Sequence, residues 1–192
     1  MLTRNVASIF SLVFAALSIT ANAVPTPEEP LNEEVLARQY DCGEVSVSVA
    51  LLRGYSPSAE DHFYTTNAIE MEKAVSKLGY KSEGDPGRVF SSQVGVTIPL
   101  YRMYSATATD HFYTTSKSEA DNAVDKLGYT AEGTTAFVYS DQICGSIPFY
   151  RMYSPTATDH FYTTSESERD NAIANLGYVD EGIQCYILPT DD

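Results

Sequence analysis

A 49-residue sequence occurs three times in succession, and this constrains the chain more than any other feature. The hexapeptide "DHFYTT" stands at 61–66, 110–115 and 159–164, and all three histidines of the chain lie in it. Around it the copies read "LRGYSPSAEDHFYTTNAIEMEKAVSKLGYKSEG", "YRMYSATATDHFYTTSKSEADNAVDKLGYTAEG" and "YRMYSPTATDHFYTTSESERDNAIANLGYVDEG". Repetition at this level means one supersecondary unit used three times, each copy too small to bury its apolar face alone. Three copies suit a closed pseudo-threefold arrangement better than an open solenoid, which requires atypical capping copies at its ends.

Each copy has a physical reading. "YRMYS" and "HFYTT" alternate and are rich in Tyr, Phe and Thr, as strands are, and a short polar turn joins them into a hairpin. A helix follows. Asn67, Ser116 and Ser165 stand three residues before Glu70, Glu119 and Glu168, a capping-box spacing. Ala123, Val124 and Leu127, with Ala74, Val75, Leu78 and Ala172, Ile173, Leu176, are expected to form its narrow apolar face. Gly79, Gly128 and Gly177 then supply a left-handed stop. "YTAEGTTAFVYS" and its equivalents read as further strand. The expected class is mainly β with short helices, built from three ββαβ repeats at about 50–98, 99–147 and 148–192.

Ahead of the repeats, Arg4, the apolar run "VASIFSLVFAALSIT" and "ANA" at 21–23 read as a secretory signal peptide over residues 1–23. Residues 24–38, with three prolines and four glutamates, read as a linker or pro-segment. Residues 39–192 are then a single domain, secreted and extracellular, with no membrane insertion expected. From Gln39 onward there are 22 acidic and 10 basic residues, which argues against nucleic acid as a partner because phosphate binding needs clustered cations. Oligomeric state is not legible.

Three cysteines in an oxidising compartment predict one disulfide and one remaining thiol. Cys42 and Cys185 lie in the first and last strands, which a closed ring brings together, so Cys42–Cys185 is the expected pair and Cys144 the one left over. No C-x-x-C or Cys/His spacing suggests zinc.

The motifs Y-R-x-Y, D-H-F-Y-T-T-S-x-x-E, L-G-Y and E-G, recurring in this order over residues 50–183, resemble a repeat family of secreted fungal and bacterial proteins of unknown function. The resemblance implies a β-trefoil-like fold. Bacterial members often append such repeats to hydrolases, which implies an accessory binding module. The first copy departs from the pattern, with "LRGYS" in place of "YRMYS" and Gly54 in place of methionine.

Pairing Tyr104 with His111 across the hairpin puts Met103, Phe112 and Thr114 on one face and Arg102, Tyr104, His111 and Tyr113 on the other. The counterparts are Arg53, Tyr55, His62, Tyr64 and Arg151, Tyr153, His160, Tyr162. One reading is a packed layer beneath the helix, with His bonded to a tyrosine hydroxyl, Arg stacked on a ring and Asp110 capping the turn. The other is a shallow glycan site in each unit, aromatic faces taking sugar C–H patches and polar groups taking hydroxyls. Catalysis is not expected, because Asp110 and His111 are strand neighbours that point to opposite faces and no nucleophile motif is present. No cofactor or metal is expected either. Three histidines converging on an axis would suit zinc, but each has a cationic neighbour that disfavours it. The expected function is a secreted, non-enzymatic, lectin-like or cell-wall-associated module binding glycans. The alternative is a protein-binding module such as a protease inhibitor, with Arg88 in the divergent loop "EGDPGRVFSSQV" as its anchor.

Overall fold

The computed structural model describes residues 41–190; the expected signal peptide and the whole linker or pro-segment lie outside the described residues. Each unit opens with a hairpin: β2 (Leu52–Ser56) with β3 (Asp61–Thr65), β6 (Ile98–Ser105) with β7 (Asp110–Thr114), and β9 (Ile147–Ser154) with β10 (Asp159–Thr163), after a short lead strand β1 (Val49–Ala50). The pairing is the one that alternation predicts: Arg102 opposite Tyr113, Met103 opposite Phe112, Tyr104 opposite His111. A third strand returns along each hairpin: β4 (Lys81–Ser82), β8 (Thr130–Val138) and β11 (Val179–Ile187). In the first unit this strand is broken, and β5 (Arg88–Val89) leaves it to pair with β1. Pro86 lies in the break, and a residue without an N–H cannot continue a ladder. Among the described residues the result is mainly β, with four small sheets, none of them closed.

Three ten-residue helices, α1 (Ala68–Lys77), α2 (Lys117–Lys126) and α3 (Glu166–Asn175), follow the hairpins. Ser116 Oγ accepts from the Glu119 N–H as the capping spacing predicts. The reciprocal half of the box differs: the Ser116 N–H donates to Thr114 Oγ1, and the Thr114 hydroxyl donates to the Glu119 carboxylate. This frees Glu119 to face another unit. Gly79, Gly128 and Gly177 have φ of 81°, 79° and 77°, the left-handed stop.

The helices bury alanines rather than the wider apolar face expected. Met103 and Phe112 pack on Ala120 and Ala123, while Val124 and Leu127 remain 39% and 62% exposed. Small residues let a short helix lie close on the hairpin, and the larger side chains one position round are left on its flank. The same packing accounts for the first unit's departures. A Cβ on Gly54 would stand 3.0 Å from Met71 Sδ, so the strand methionine of the other units is replaced by a helix methionine filling the same space.

The central core gathers Leu51, Leu100 and Phe149 around Tyr64, Tyr113 and Tyr162, each tyrosine no more than 1% exposed. The three rings meet edge-on, centroids 5.4–5.5 Å apart. Tyr113 Oη accepts from the Tyr64 N–H at 2.8 Å and donates to the Tyr64 carbonyl at 2.9 Å. Tyr162 Oη serves Tyr113 in the same way, and Tyr64 Oη serves Tyr162. These tyrosines lie on β3, β7 and β10, the outer strands of their sheets. Each hydroxyl therefore stands where a neighbouring strand would otherwise satisfy the backbone.

The disulfide joins Cys42 to Cys144, not to Cys185. Residues 41–42 are held over the ends of the first and second units: Asp41 O accepts from the Val96 N–H, and Cys42 O accepts from Tyr139 Oη. Cys185 is on β11 with its thiol turned into the central core, 2% exposed, and burial pushes its pKa up. The first strand and Leu188 do come together at Arg88, which exchanges backbone hydrogen bonds with Leu188 and pairs with Ala50, but Cys42 lies ahead of the first strand rather than in it.

Tyr113→Phe should leave the Tyr64 N–H and C=O buried without partners and lower stability by on the order of 3 kcal/mol in chemical denaturation. A loss under about 0.5 kcal/mol would mean that these backbone groups find other partners.

Candidate functional site

The alternation that buries Met103 and Phe112 beneath α2 turns the opposite face toward the other units. The polar-aromatic layer is therefore not under the helix, and it divides in two. Tyr64, Tyr113 and Tyr162 go to the centre of the molecule, so these three candidate ligand residues are core. Of the Arg, Tyr and His members, Arg102, Tyr104, His111, Arg151, His160, Tyr55 and His62 instead line grooves where one unit meets the next. Tyr80, Phe63, Leu78 and Glu70 of the first unit face Arg102, Tyr104, His111 and Glu132 of the second across a groove of about 510 Å³. Arg151, His160 and Glu181 line its counterpart of about 200 Å³ with Tyr129 and Leu127. Tyr55, His62 and Glu83 line the third, about 440 Å³, with Tyr178 and Leu176. The exposed leucines at the helix ends are thus groove walls.

Each imidazole is anchored from another unit. The His111 N–H and Nδ1–H both donate to Asp61, at 2.8 and 2.6 Å, and His160 bonds Asp110 and His62 bonds Asp159 in the same way. The aspartate expected to cap its own turn is fully buried and serves the histidine of the next unit. Tyr80, Tyr129 and Tyr178 donate their hydroxyls to the same carboxylates. The histidine's partner is an aspartate, and the tyrosine hydroxyl reaches that aspartate rather than the imidazole. Tyr104 packs tilted against His111 with centroids 4.5 Å apart, and His111 Nε2 faces Glu132 Oε2 at 3.9 Å.

Arginine clamps complete the walls. Arg102 Nη1 and Nη2 donate to Glu70 at 3.2 and 2.9 Å, and its guanidinium lies 5.3 Å from the Phe63 ring centre. Its Nε is 2.8 Å from Glu132 Oε2, a charge contact without hydrogen-bond alignment. Arg151 grips Glu119, and Arg53 grips Glu168. Guanidinium stacking on a ring was legible in the sequence, whereas the glutamate partner was not, because the capping position of Glu70, Glu119 and Glu168 already accounted for it.

Among the described residues, the oxygen-donor set that could hold a hard cation is Asp61, Asp110 and Asp159, whose carboxylates lie within 4.8 Å of one another. Aspartates rather than histidines converge. Each already accepts a backbone N–H, an imidazole and a phenol, which takes three of the roughly four lone-pair sites of a carboxylate. For acid–base work the arrangement supplies an imidazole oriented at Nδ1 by a carboxylate from the neighbouring unit. The strand-neighbour argument against an oriented acid therefore applies only within one copy. The free ring nitrogen faces a second carboxylate.

Two pH flanks follow. Burial, reinforced by Asp61, Asp110 and Asp159, raises the phenols of Tyr80, Tyr129 and Tyr178, and burial raises those of Tyr64, Tyr113 and Tyr162 well above the ordinary range. Raised folded-state values give stability that is complete below the unfolded value of about 10 and lost as pH rises beyond it. For Glu168 the Arg53 hydrogen bond leads, and for Glu70 and Glu119 the Arg and Thr hydrogen bonds outweigh the opposing effect of burial; all three are lowered. Their contribution is present above the unfolded value of about 4.3 and lost as pH falls. Melting temperature should therefore be flat near neutrality and fall steeply above about pH 10, with a shallower fall below about pH 4. Retention of the full melting temperature well above pH 11 would contradict the buried phenols.

His111→Ala should leave Asp61 without its imidazole partner and cost about 1–3 kcal/mol in thermal melts, with His62→Ala and His160→Ala costing similar amounts. Three unchanged melts would contradict a structural role for these pairs.

No curated protein and no solved structure matches this chain. The model of a domain of unknown function, DUF5648, matches residues 50–188, which spans all three units, and the chain belongs to that family.

Proposed function

We propose that this protein is a secreted, non-enzymatic, lectin-like or cell-wall-associated module in which three units form a trefoil-like ring and bind glycan in the grooves between them. The observation that carries the reading is the recurrence of one groove at all three unit boundaries, each with an aromatic ring, a leucine wall and fixed polar groups. Sugars are bound by this combination: a flat apolar surface for the C–H face and a few oriented donors and acceptors for hydroxyls. Tyr55, Tyr104 and Tyr153 are half-buried and each packs tilted against its histidine ring, so their rings are presented with little freedom to lose.

The cyclic order of the contacts supports the trefoil-like ring. Arg53 reaches Glu168 of the third unit, Arg102 reaches Glu70 of the first, and Arg151 reaches Glu119 of the second. The disulfide is compatible with an oxidising compartment, and no helix among the described residues is long and apolar enough to cross a membrane. The protein-binding alternative singled out Arg88, whose Nε and Nη2 donate to Ser48 at 2.9 and 2.6 Å, so that observation no longer favours it.

A glycan array probed with the intact secreted protein should give binding to multivalent polysaccharide that weakens by more than a third in the Tyr104→Ala variant, because three weak sites act together. An array without any glycan response would contradict the proposal.

A further inference from the structure

The three grooves are alike in plan but not in charge, and the difference comes from the first unit. Where the second and third units have Thr109 and Thr158, the first has Glu60. Thr109 Oγ1 lies 2.6 Å from its neighbour Ala108 O and 3.2 Å from Ala59 O, and Thr158 Oγ1 lies 2.5 Å from Ala157 O and 3.2 Å from Ala108 O, so each hydroxyl is shared between its own turn and the turn of the preceding unit. A carboxylate cannot donate that bond. Glu60 has no hydrogen bond or ion pair to any described residue, and it lies in the wall of the groove between the third and first units. Its charge acts on the phenols of Tyr55 and Tyr178, one from each side of that groove.

A second substitution acts in the opposite sense elsewhere. Lys73 lines the groove between the first and second units, where the corresponding residues of the other units are Asn122 and Asn171. The arginine–glutamate clamp is a neutral pair where it lines the first and second grooves, and Arg53 and Glu168 lie outside the third. Beyond it, the first groove holds Glu132 and Lys73, the second holds Glu181, and the third holds Glu83 and Glu60. The charge of the walls therefore steps from neutral through one negative to two negatives. The net charge of the chain is −14, so the long-range field draws cations and repels polyanions. Local and long-range charge agree most strongly in the third groove.

We infer that the groove between the third and first units selects a glycoside carrying a protonated primary amine, an amino sugar with a free ammonium. The sugar ring lies along Tyr55 and Leu176, and the ammonium donates to Glu60 and Glu83. N-acetylation removes the charge and with it the preference. This inference rests on the glycan-binding reading and adds the ligand's charge to it.

Amide NMR and calorimetric titrations of the intact secreted protein with a glucosamine oligomer, an N-acetylglucosamine oligomer of equal length and a lysine oligomer test it. The glucosamine oligomer should shift the amides of Tyr55, His62 and Tyr178. Glu60→Thr installs the residue of the other two units and can form their clamp, so the fold is retained. It should weaken the glucosamine oligomer roughly two- to fivefold, as for one partly exposed charge pair, and leave the acetylated oligomer unchanged. Equal binding of the glucosamine oligomer before and after Glu60→Thr, with the acetylated oligomer still binding, would overturn charge selection and leave the glycan reading standing. Failure of both oligomers to bind would overturn the two together. A lysine oligomer that shifts the same amides with equal affinity would overturn the sugar part of the assignment.

Discussion

One tyrosine hydroxyl bonded to both backbone groups of the preceding unit's tyrosine is the interaction on which the rest of this structure depends. The three hairpins belong to separate sheets, so the outer strand of each has an N–H and a C=O at the molecular centre with no strand beside them. Buried backbone groups without partners cost about 1–3 kcal/mol each. Tyr64, Tyr113 and Tyr162 satisfy six such groups with three hydroxyls, and they do so in cyclic order. No unit can satisfy its own groups. The same ring of tyrosines fills the core with edge-on aromatic contacts, which adds about 0.5–1.5 kcal/mol per pair beyond area burial.

Two outer rings of contact follow from this one. Once the hairpins are fixed at the centre, alternation places Asp and His of the same motif on opposite faces, and each aspartate meets the histidine of the next unit. Farther out, the glutamate of each capping spacing meets an arginine of a neighbouring hairpin. The grooves are the space left between these fixed walls. Their polar groups are therefore held by contacts on both sides of a unit boundary, which is the condition for a site that binds without first having to order itself. Charge differences between the grooves come only from positions outside the shared network, Glu60 and Lys73, where the first unit departs from the other two.

Much of this was legible in the sequence. The period, the hairpin register, the helix and its glycine stop all follow from local pattern, because each is set by residues a few positions apart. What was not legible depends on which unit meets which. Asp110 beside His111 reads as a local turn residue, and nothing in the copy says that its partner is His160. Tyr113 and Tyr104 have the same alternation, yet one is core and the other groove wall, since the distance from the centre decides and the sequence period does not carry it. The leucines at 78, 127 and 176 fit an apolar helix face by spacing, but a ten-residue helix lying close on a hairpin through its alanines has no room for them. The disulfide was misplaced for a related reason: Val49–Ala50, Arg88 and Leu188 do come together, but Cys185 alternates into the core while Cys42 lies ahead of the first strand, its carbonyl bonded to Tyr139.

Hydrogen exchange at the Tyr64, Tyr113 and Tyr162 amides tests the central claim most directly. If each N–H is held by a hydroxyl of another unit, the three exchange only when the whole domain unfolds, with equal protection that matches the global stability. Exchange of one of them by local opening, with protection well below the global value while the other two remain slow, would show that the units are not closed on one another through these hydroxyls.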